Sequence, residues 1–390
     1  MKILHTSDWH LGKVLKGQSR LAEQIAVLAD VVAVAEAERP DLVIVAGDLF
    51  DSVAPSADMK KLAIRALTAL RRHAGALVAI AGNHDHAAEI DALRPWADGV
   101  GITLRGTLTS AEDHVITGRT GDGEAWRLAA LPFVSQRYAV RATEMFELTA
   151  ADATATYADH LARLLAALTA DFADGADTVN LATAHVTVLG GKLGGGERDA
   201  HTIEVYALPA SVFPATLHYV ALGHLHRRQQ VPGPCPVHYC GSPLANDFGE
   251  QENAPSVSIV EVSARKAAKV RAVPIASAAP LRTVRGTLAE LAALEVDAEP
   301  IGGTPAWLRV YVRERPRAGL REEVQALLPR ALEVRIDPTA LPDLDAAPAE
   351  PGRAGRSPRE LFSEYLTARG IADDAVTNLF DRLYEEVVNA

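Results

Sequence analysis

The first eighty residues alternate between two patterns of apolar positions. Lys2–Thr6 reads as a strand, and Leu21–Glu38 has apolar residues at helical spacing and stops before Pro40. Asp41–Ala46 is a short continuous apolar run, the pattern of a strand covered on both faces. Met59–Arg72 is helical again, and Ala76–Ala81 repeats the buried-strand pattern. This β-α-β-α-β rhythm predicts one sheet joined by right-handed crossovers. Further strands are expected at Trp126–Leu131, Val179–Ala184, Tyr219–Leu222, Val237–Cys240, Val257–Val262 and Val270–Pro274, with a helix over Ala151–Ala170.

The rhythm changes near residue 278, so 1–277 is taken as one domain. Strands at Leu281–Arg285, Trp307–Arg313 and Leu332–Ile336 and helices at Leu288–Leu294 and Leu320–Leu328 predict a small separate α/β unit over 278–337. Residues 338–356 are rich in Pro, Ala, Gly and Asp and read as a linker. Two helices close the chain over 357–390. Ser357-Pro358-Arg359-Glu360 has capping-box spacing, and Gly370 is placed to end the first helix. One stripe is Leu361, Phe362, Tyr365 and Leu366; the other is Val376, Leu379, Phe380, Leu383 and Val387. Such stripes either pack on each other or dock a partner.

Polar clusters follow the strands. Asp8 and His10 follow the first, Gly47-Asp48 the second, and Gly82-Asn83-His84-Asp85 the third. His185 follows Val179–Ala184, and Gly223-His224-Leu225-His226 follows Tyr219–Leu222. Ligand sites of open α/β sheets lie beyond the carboxyl ends of strands, so these clusters converge. Asp8, His10, Asp48, Asn83, His185, His224 and His226 offer two carboxylates, an amide and four imidazoles. That set suits Mn²⁺, Fe²⁺ or Zn²⁺ better than an all-oxygen cage for Mg²⁺ or Ca²⁺. Seven ligands exceed one tetrahedral ion and suit two ions sharing a bridge, for which Asp48 is the best placed. Two divalent ions against two aspartates leave a cationic site for an anionic phosphodiester. His84 is assigned as transition-state stabiliser or proton donor, with Asp85 orienting it. His5, His73, His114, His160, His201, His218 and His238 lie outside the pattern, and His86 lies beside it.

Composition narrows the setting. Hydrophobic residues make up 48% of the 390, enough for a sizeable core. No run reaches the roughly 18 apolar residues of a membrane span, and the charged N-terminus leaves no room for a signal-peptide core. Cys235 and Cys240 make no disulfide framework, which fits the cytoplasm. The net charge of −11 argues against a free-standing nucleic-acid binder.

The order Asp-x-His, Gly-Asp, Gly-Asn-His-Asp, His, Gly-His-x-His resembles the calcineurin-like metallophosphoesterase superfamily. Ser7-Asp8-Trp9-His10-Leu11-Gly12, Ala46-Gly47-Asp48-Leu49-Phe50-Asp51, Ala221-Leu222-Gly223-His224-Leu225-His226 and Tyr239-Cys240-Gly241-Ser242-Pro243-Leu244 are similar to its DNA-processing nuclease branch. The resemblance covers nearly the whole chain and is strongest before residue 250. It implies a β-sandwich flanked by helices, a capping domain that recognises DNA, and C-terminal helices that dock a long coiled-coil ATPase. It implies one Mn²⁺ on Asp8, His10, Asp48 and His226 and another on Asp48, Asn83, His185 and His224, with Mg²⁺, Fe²⁺ or Zn²⁺ as substitutes. It also implies endonuclease and 3′-to-5′ exonuclease activity in DNA repair, recombination and replication, a homodimer, and a place in the cytoplasm on the nucleoid. Archaeal and eukaryotic relatives carry histidine where this chain has Asp51. The ATPase would supply much of the DNA-binding surface, which accommodates the acidic charge. Lys13, Lys16, Arg20, Lys192 and Arg198 are candidate phosphate contacts, and Gly190–Gly196 is expected to be a mobile loop near the metals. The competing readings are a hydrolase of small phosphoesters, such as a nucleotidase, and a non-catalytic scaffold that keeps the fold.

Overall fold

The computed structural model describes residues 1–135, 157–172, 177–197, 207–294, 305–340, 358–368 and 374–388. Two six-stranded sheets pack face to face. The first runs in the order Lys266–Pro274, Ser256–Ser263, Lys2–Thr6, Leu42–Val45, Ala76–Ile80, Ile102–Arg105. Its last four strands are parallel, as the opening rhythm predicts, and the first two are antiparallel. The second runs Gln229–Val231, Val237–Tyr239, Tyr219–Gly223, Thr178–His185, Ala125–Leu131, Val115–Arg119. Its four inner strands are parallel and its two edges antiparallel.

Alternation along each strand divides the core. Leu42 and Ile44 face the second sheet, against Leu128, Leu181 and Ala221. Val43 and Val45 face the opposite way, toward the helices Leu21–Glu38 and Ala57–His73. Burial on both faces is why this segment reads as an unbroken apolar run. The first helix ends at Arg39, which takes a left-handed conformation before Pro40. The second is capped by Ser56, whose hydroxyl accepts from the Met59 N–H. The outer face of the second sheet is covered by Tyr157–Leu168 through Leu161, Leu164, Leu165 and Leu168. The rest of the expected Ala151–Ala170 helix includes residues 151–156, which lie outside the described residues. The strand Ile102–Arg105 and the helices Ala87–Ala92 and Arg94–Gly99 were not expected. Each is too short for a period to emerge from its sequence.

A three-stranded parallel sheet, Leu281–Gly286, Trp307–Val312 and Ala331–Ile336, packs one face on the helices Leu288–Ala292 and Leu320–Leu327. Its Trp307 end docks on the nearby body: Leu281, Trp307 and Leu332 gather with Leu15, Ala245 and Phe248. The Trp307 indole donates to Glu23. Met1–Asp337 therefore forms one compact unit and Pro338–Ala390 a second. In the second unit the helices Pro358–Ala368 and Asp374–Val388 stack Phe362 on Phe380, with ring centroids 4.0 Å apart. Leu366 is buried, while Leu361, Tyr365, Val376 and Leu379 stay exposed. The capping-box Ser357 and Gly370 lie outside the described residues. Among the described residues no helix is long and apolar enough to cross a membrane.

Ile44 is fully enclosed between the sheets. Ile44→Ala is expected to cost about 2–5 kcal/mol, read as a lowered urea midpoint at unchanged slope.

Candidate metal centre

The parallel strands of both sheets end at one edge of the sandwich, and there the five polar clusters meet. Asp8, His10, Asp48, Asn83, His84 and Asp85 come from the first sheet, and His185, His224 and His226 from the second. All nine are buried. The close approach strains the backbone. Asp8, His10, Asp48 and His224 have φ of 55°, 45°, 51° and 99°, values that side chains other than glycine seldom adopt. Two glycines supply space as well. A Cβ on Gly47 would lie 2.2 Å from His185 Nδ1, and one on Gly82 would lie 2.1 Å from Asp48 Oδ1.

The donor atoms overlap, with Asp8 near Asp48 and His185 and His84 near His10 and Asp48, and two groups can be drawn among them. In one, His10 Nε2 and His226 Nε2 lie 3.0 Å apart, and His10 Nε2 lies 3.6 Å from Asp48 Oδ2. Asp8 joins His10 and His226 in the same cluster. In the other, Asn83 Oδ1 lies 2.9 Å from His185 Nε2 and 2.8 Å from His224 Nδ1. His185 Nε2 lies 3.4 Å from Asp48 Oδ2. Donors sharing an ion at bond lengths of about 2.0–2.2 Å sit roughly 3–3.4 Å apart, so both groups fit a divalent cation. One oxygen of Asp48 reaches toward both.

Burial works against charge throughout. It holds His10 well below the ordinary imidazole range and pushes Asp8 up. At His185 burial also opposes the proton, but the Asp48 carboxylate beside it lifts the value to about 9. At His226 burial is likewise overcome by Glu250, and the value rises to about 10. Burial would raise Asp48, yet the charge and hydrogen bond of His185, with His10 and His84, hold it well below the carboxylate range. Asp48 and Glu250 thus favour the protonated forms of His185 and His226, the forms that a metal would have to displace.

Asp85 does something other than expected. Its carboxylate accepts backbone N–H groups from Gly82, Leu49 and Phe50, tying the second and third strand ends together. Burial, then the neighbouring Asp48, pushes it up to about 7. The group beside the His84 ring is Asp51, whose backbone carbonyl lies 2.9 Å from His84 Nδ1. The Asp51 carboxylate meets Lys13 Nζ at 3.1 Å. His86 caps the helix Ala87–Ala92 through Nδ1. His5 lies between the sheets against Tyr219 OH, and burial pushes it down to about 3.

Of the candidate cations, Arg20 is buried and paired with Glu23, so it is a structural group that cannot reach a phosphate. Lys16 lies 3.7 Å from Asp247, Lys192 is exposed, and Arg198 lies outside the described residues. The glycine loop is fastened rather than loose at its end: Gly194, Gly195 and Gly196 all donate to the Glu197 carboxylate, which also accepts the His226 N–H at 2.9 Å. Glu197 and Glu250 were not anticipated. Glu250 Oε1 lies 2.6 Å from His226 Nδ1, but it sits on a 3₁₀ turn with no strand before it to mark it.

Residues 1–228 match the calcineurin-like phosphoesterase family, and residues 277–370 match the type 5 capsule protein repressor C-terminal domain. The SbcD subunit of the nuclease SbcCD from Bacillus subtilis is 36% identical over 72% of this chain and 71% of its own. The protein of the same name from Escherichia coli K12 is 31% identical over 84% and 82%. The Rhodobacter capsulatus protein is 33% identical over 92% and 90%. Among solved structures, TT1561 of Thermus thermophilus has a TM-score of 0.39 at 12% identity, covering 70% of this chain and 98% of that one. A dimetal phosphatase from Danio rerio has a TM-score of 0.37 at 12% identity, covering 69% and 98%.

His185 and His226 must lose their protons before they can bind a metal. Mn²⁺ binding near pH 7.5 is therefore expected to release about two protons and to weaken as pH falls. Titration calorimetry in buffers of different ionisation heat measures this. Binding without proton release would contradict the assignment.

Proposed function

This chain belongs to the SbcD family of nucleases, within the calcineurin-like phosphoesterases, and from that premise we propose that it cleaves DNA with two Mn²⁺ ions. It is a metal-dependent phosphodiesterase of the nuclease type. The finer reading is endonuclease and 3′-to-5′ exonuclease action on double-strand ends and hairpins, beside an SbcC-type ATPase. Asp48 carries the two-metal reading: one of its oxygens lies 3.6 Å from His10 and 3.4 Å from His185, imidazoles of different donor groups. Asp8, His10, Asp48 and His226 would hold one ion, and Asp48, Asn83, His185 and His224 the other. Such ions would supply Lewis acidity toward a phosphoryl oxygen and would lower the pKa of a water nucleophile.

The chain's own groups do the rest. Two divalent ions on Asp8 and Asp48 would present cationic charge to a phosphodiester. His84 packs edge-on to His10 at 4.6 Å between centroids, beside the first donor group. With Nδ1–H donating to the Asp51 carbonyl, the doubly protonated ring would give the leaving oxygen its Nε2 proton. Lys13, held by Asp51 at the rim, is the cation best placed for a flanking phosphate. The unit over 278–337 would cap the site and recognise DNA, and 338–356 would be a linker. The exposed Leu361, Tyr365, Val376 and Leu379 favour docking of the ATPase on the terminal helices. Pairing with a second copy and a place on the nucleoid in the cytoplasm complete the reading.

End-labelled duplex and hairpin DNA, incubated with Mn²⁺ with and without the ATPase, test this. Cleavage of DNA is expected. Turnover of an aryl phosphodiester with none of DNA would instead favour a small-molecule hydrolase. His84→Ala should lower kcat by about 10²–10⁴-fold with metal still bound. Full activity in that variant would refute the role given to His84.

A further inference from the structure

We propose that Glu250 is a positioning residue for His226, and that the sheet containing Trp307–Val312 holds it in place. This inference rests on His226 being a metal ligand. Glu250 Oε1 lies 2.6 Å from His226 Nδ1, and Oε2 accepts the Asn246 N–H at 2.7 Å. Glu250 is 1% exposed, so its carboxylate is committed to these partners rather than to water. Once its Nε2 proton has left, an imidazole that donates from Nδ1 has one tautomer, with the lone pair on Nε2. That nitrogen faces His10 Nε2 at 3.0 Å. A carboxylate behind a ligand imidazole fixes the ring and makes it a stronger donor.

The fit around Glu250 is close on every side. A Cβ on Gly196 would lie 1.9 Å from Glu250 Oε1, so only glycine leaves room for the carboxylate there. The His226 backbone N–H is held separately by Glu197. Glu250 ends the short turn Phe248–Glu250. Phe248 is buried with Leu281 of the small sheet, and Trp307 packs against that cluster. The Arg309 guanidinium lies 4.7 Å above the Phe248 ring and 3.9 Å from Asp247, whose side chain accepts the Gly249 N–H. From Arg309 to the ring of His226, the contacts pass through four consecutive residues, Asp247 to Glu250. A shift of the small sheet is thereby transmitted to one donor group.

Manganese binding by the full chain, followed by calorimetry and by the Mn²⁺ paramagnetic resonance spectrum, tests this. Wild type should bind two ions. Glu250→Gln should weaken one site by about 10–100-fold and leave the other unchanged. Arg309→Ala, which changes no ligand and nothing that touches one, should weaken the same site by a smaller factor. It decides the matter alone if Glu250→Gln does not fold. A role confined to stability would lower the melting temperature of the metal-free protein and leave both affinities in place, which would overturn the inference. Two wild-type sites with unchanged affinity in both variants would also overturn it. A wild-type chain that binds no manganese would instead refute the metal reading beneath it.

Discussion

Asp48 places a buried carboxylate between imidazoles that belong to different sheets. Everything near it follows from that constraint. A carboxylate at 1% exposure is costly unless it is paired, and here His10 of its own sheet and His185 of the other both approach one of its oxygens. The sheets must therefore bring their parallel strand ends to one edge. The chain must turn sharply there, which places Asp8, His10, Asp48 and His224 at positive φ. The residues packed behind must be small, as Gly47 and Gly82 are. Strain of this kind persists only where surrounding structure over-determines it, and the sandwich core directly behind the edge does so.

Much of this was legible in the sequence. The continuous run Leu42–Val45 and the helical spacing of Leu21–Glu38 state their burial directly, and the polar clusters after the strands mark the edge where those side chains meet. What the sequence hid has a physical reason in each case. Ile102–Arg105 is a four-residue edge strand, too brief for alternation to register. Asp85 sits next to His84 in sequence, but its carboxylate is drawn away by three backbone N–H groups. Asp51 is distant in sequence and near in space. Glu250 lies on a 3₁₀ turn, where no period announces an inward side chain. Arg20 read as a surface cation because nothing local revealed that Glu23 and the Ala245 carbonyl enclose it.

The supporting carboxylates give the site an inner and an outer layer. Asp85 joins two strand ends, Glu197 joins the glycine loop to the His226 backbone, and Glu250 joins the ring of His226 to the small sheet. Each is buried or largely so, and each is bonded to groups that would otherwise be unpaired. This arrangement gathers the buried donors that could hold a metal ion and ties them to the surrounding backbone. Membership in the SbcD family gives that site a substrate class.

The most direct measurement is anomalous diffraction at the manganese edge from crystals of the chain soaked in Mn²⁺. Two peaks are expected about 3.5–4 Å apart on either side of Asp48, one near His10 and His226 and the other near Asn83, His185 and His224. A single peak, or a pair of peaks that does not share Asp48, would contradict the two-metal reading.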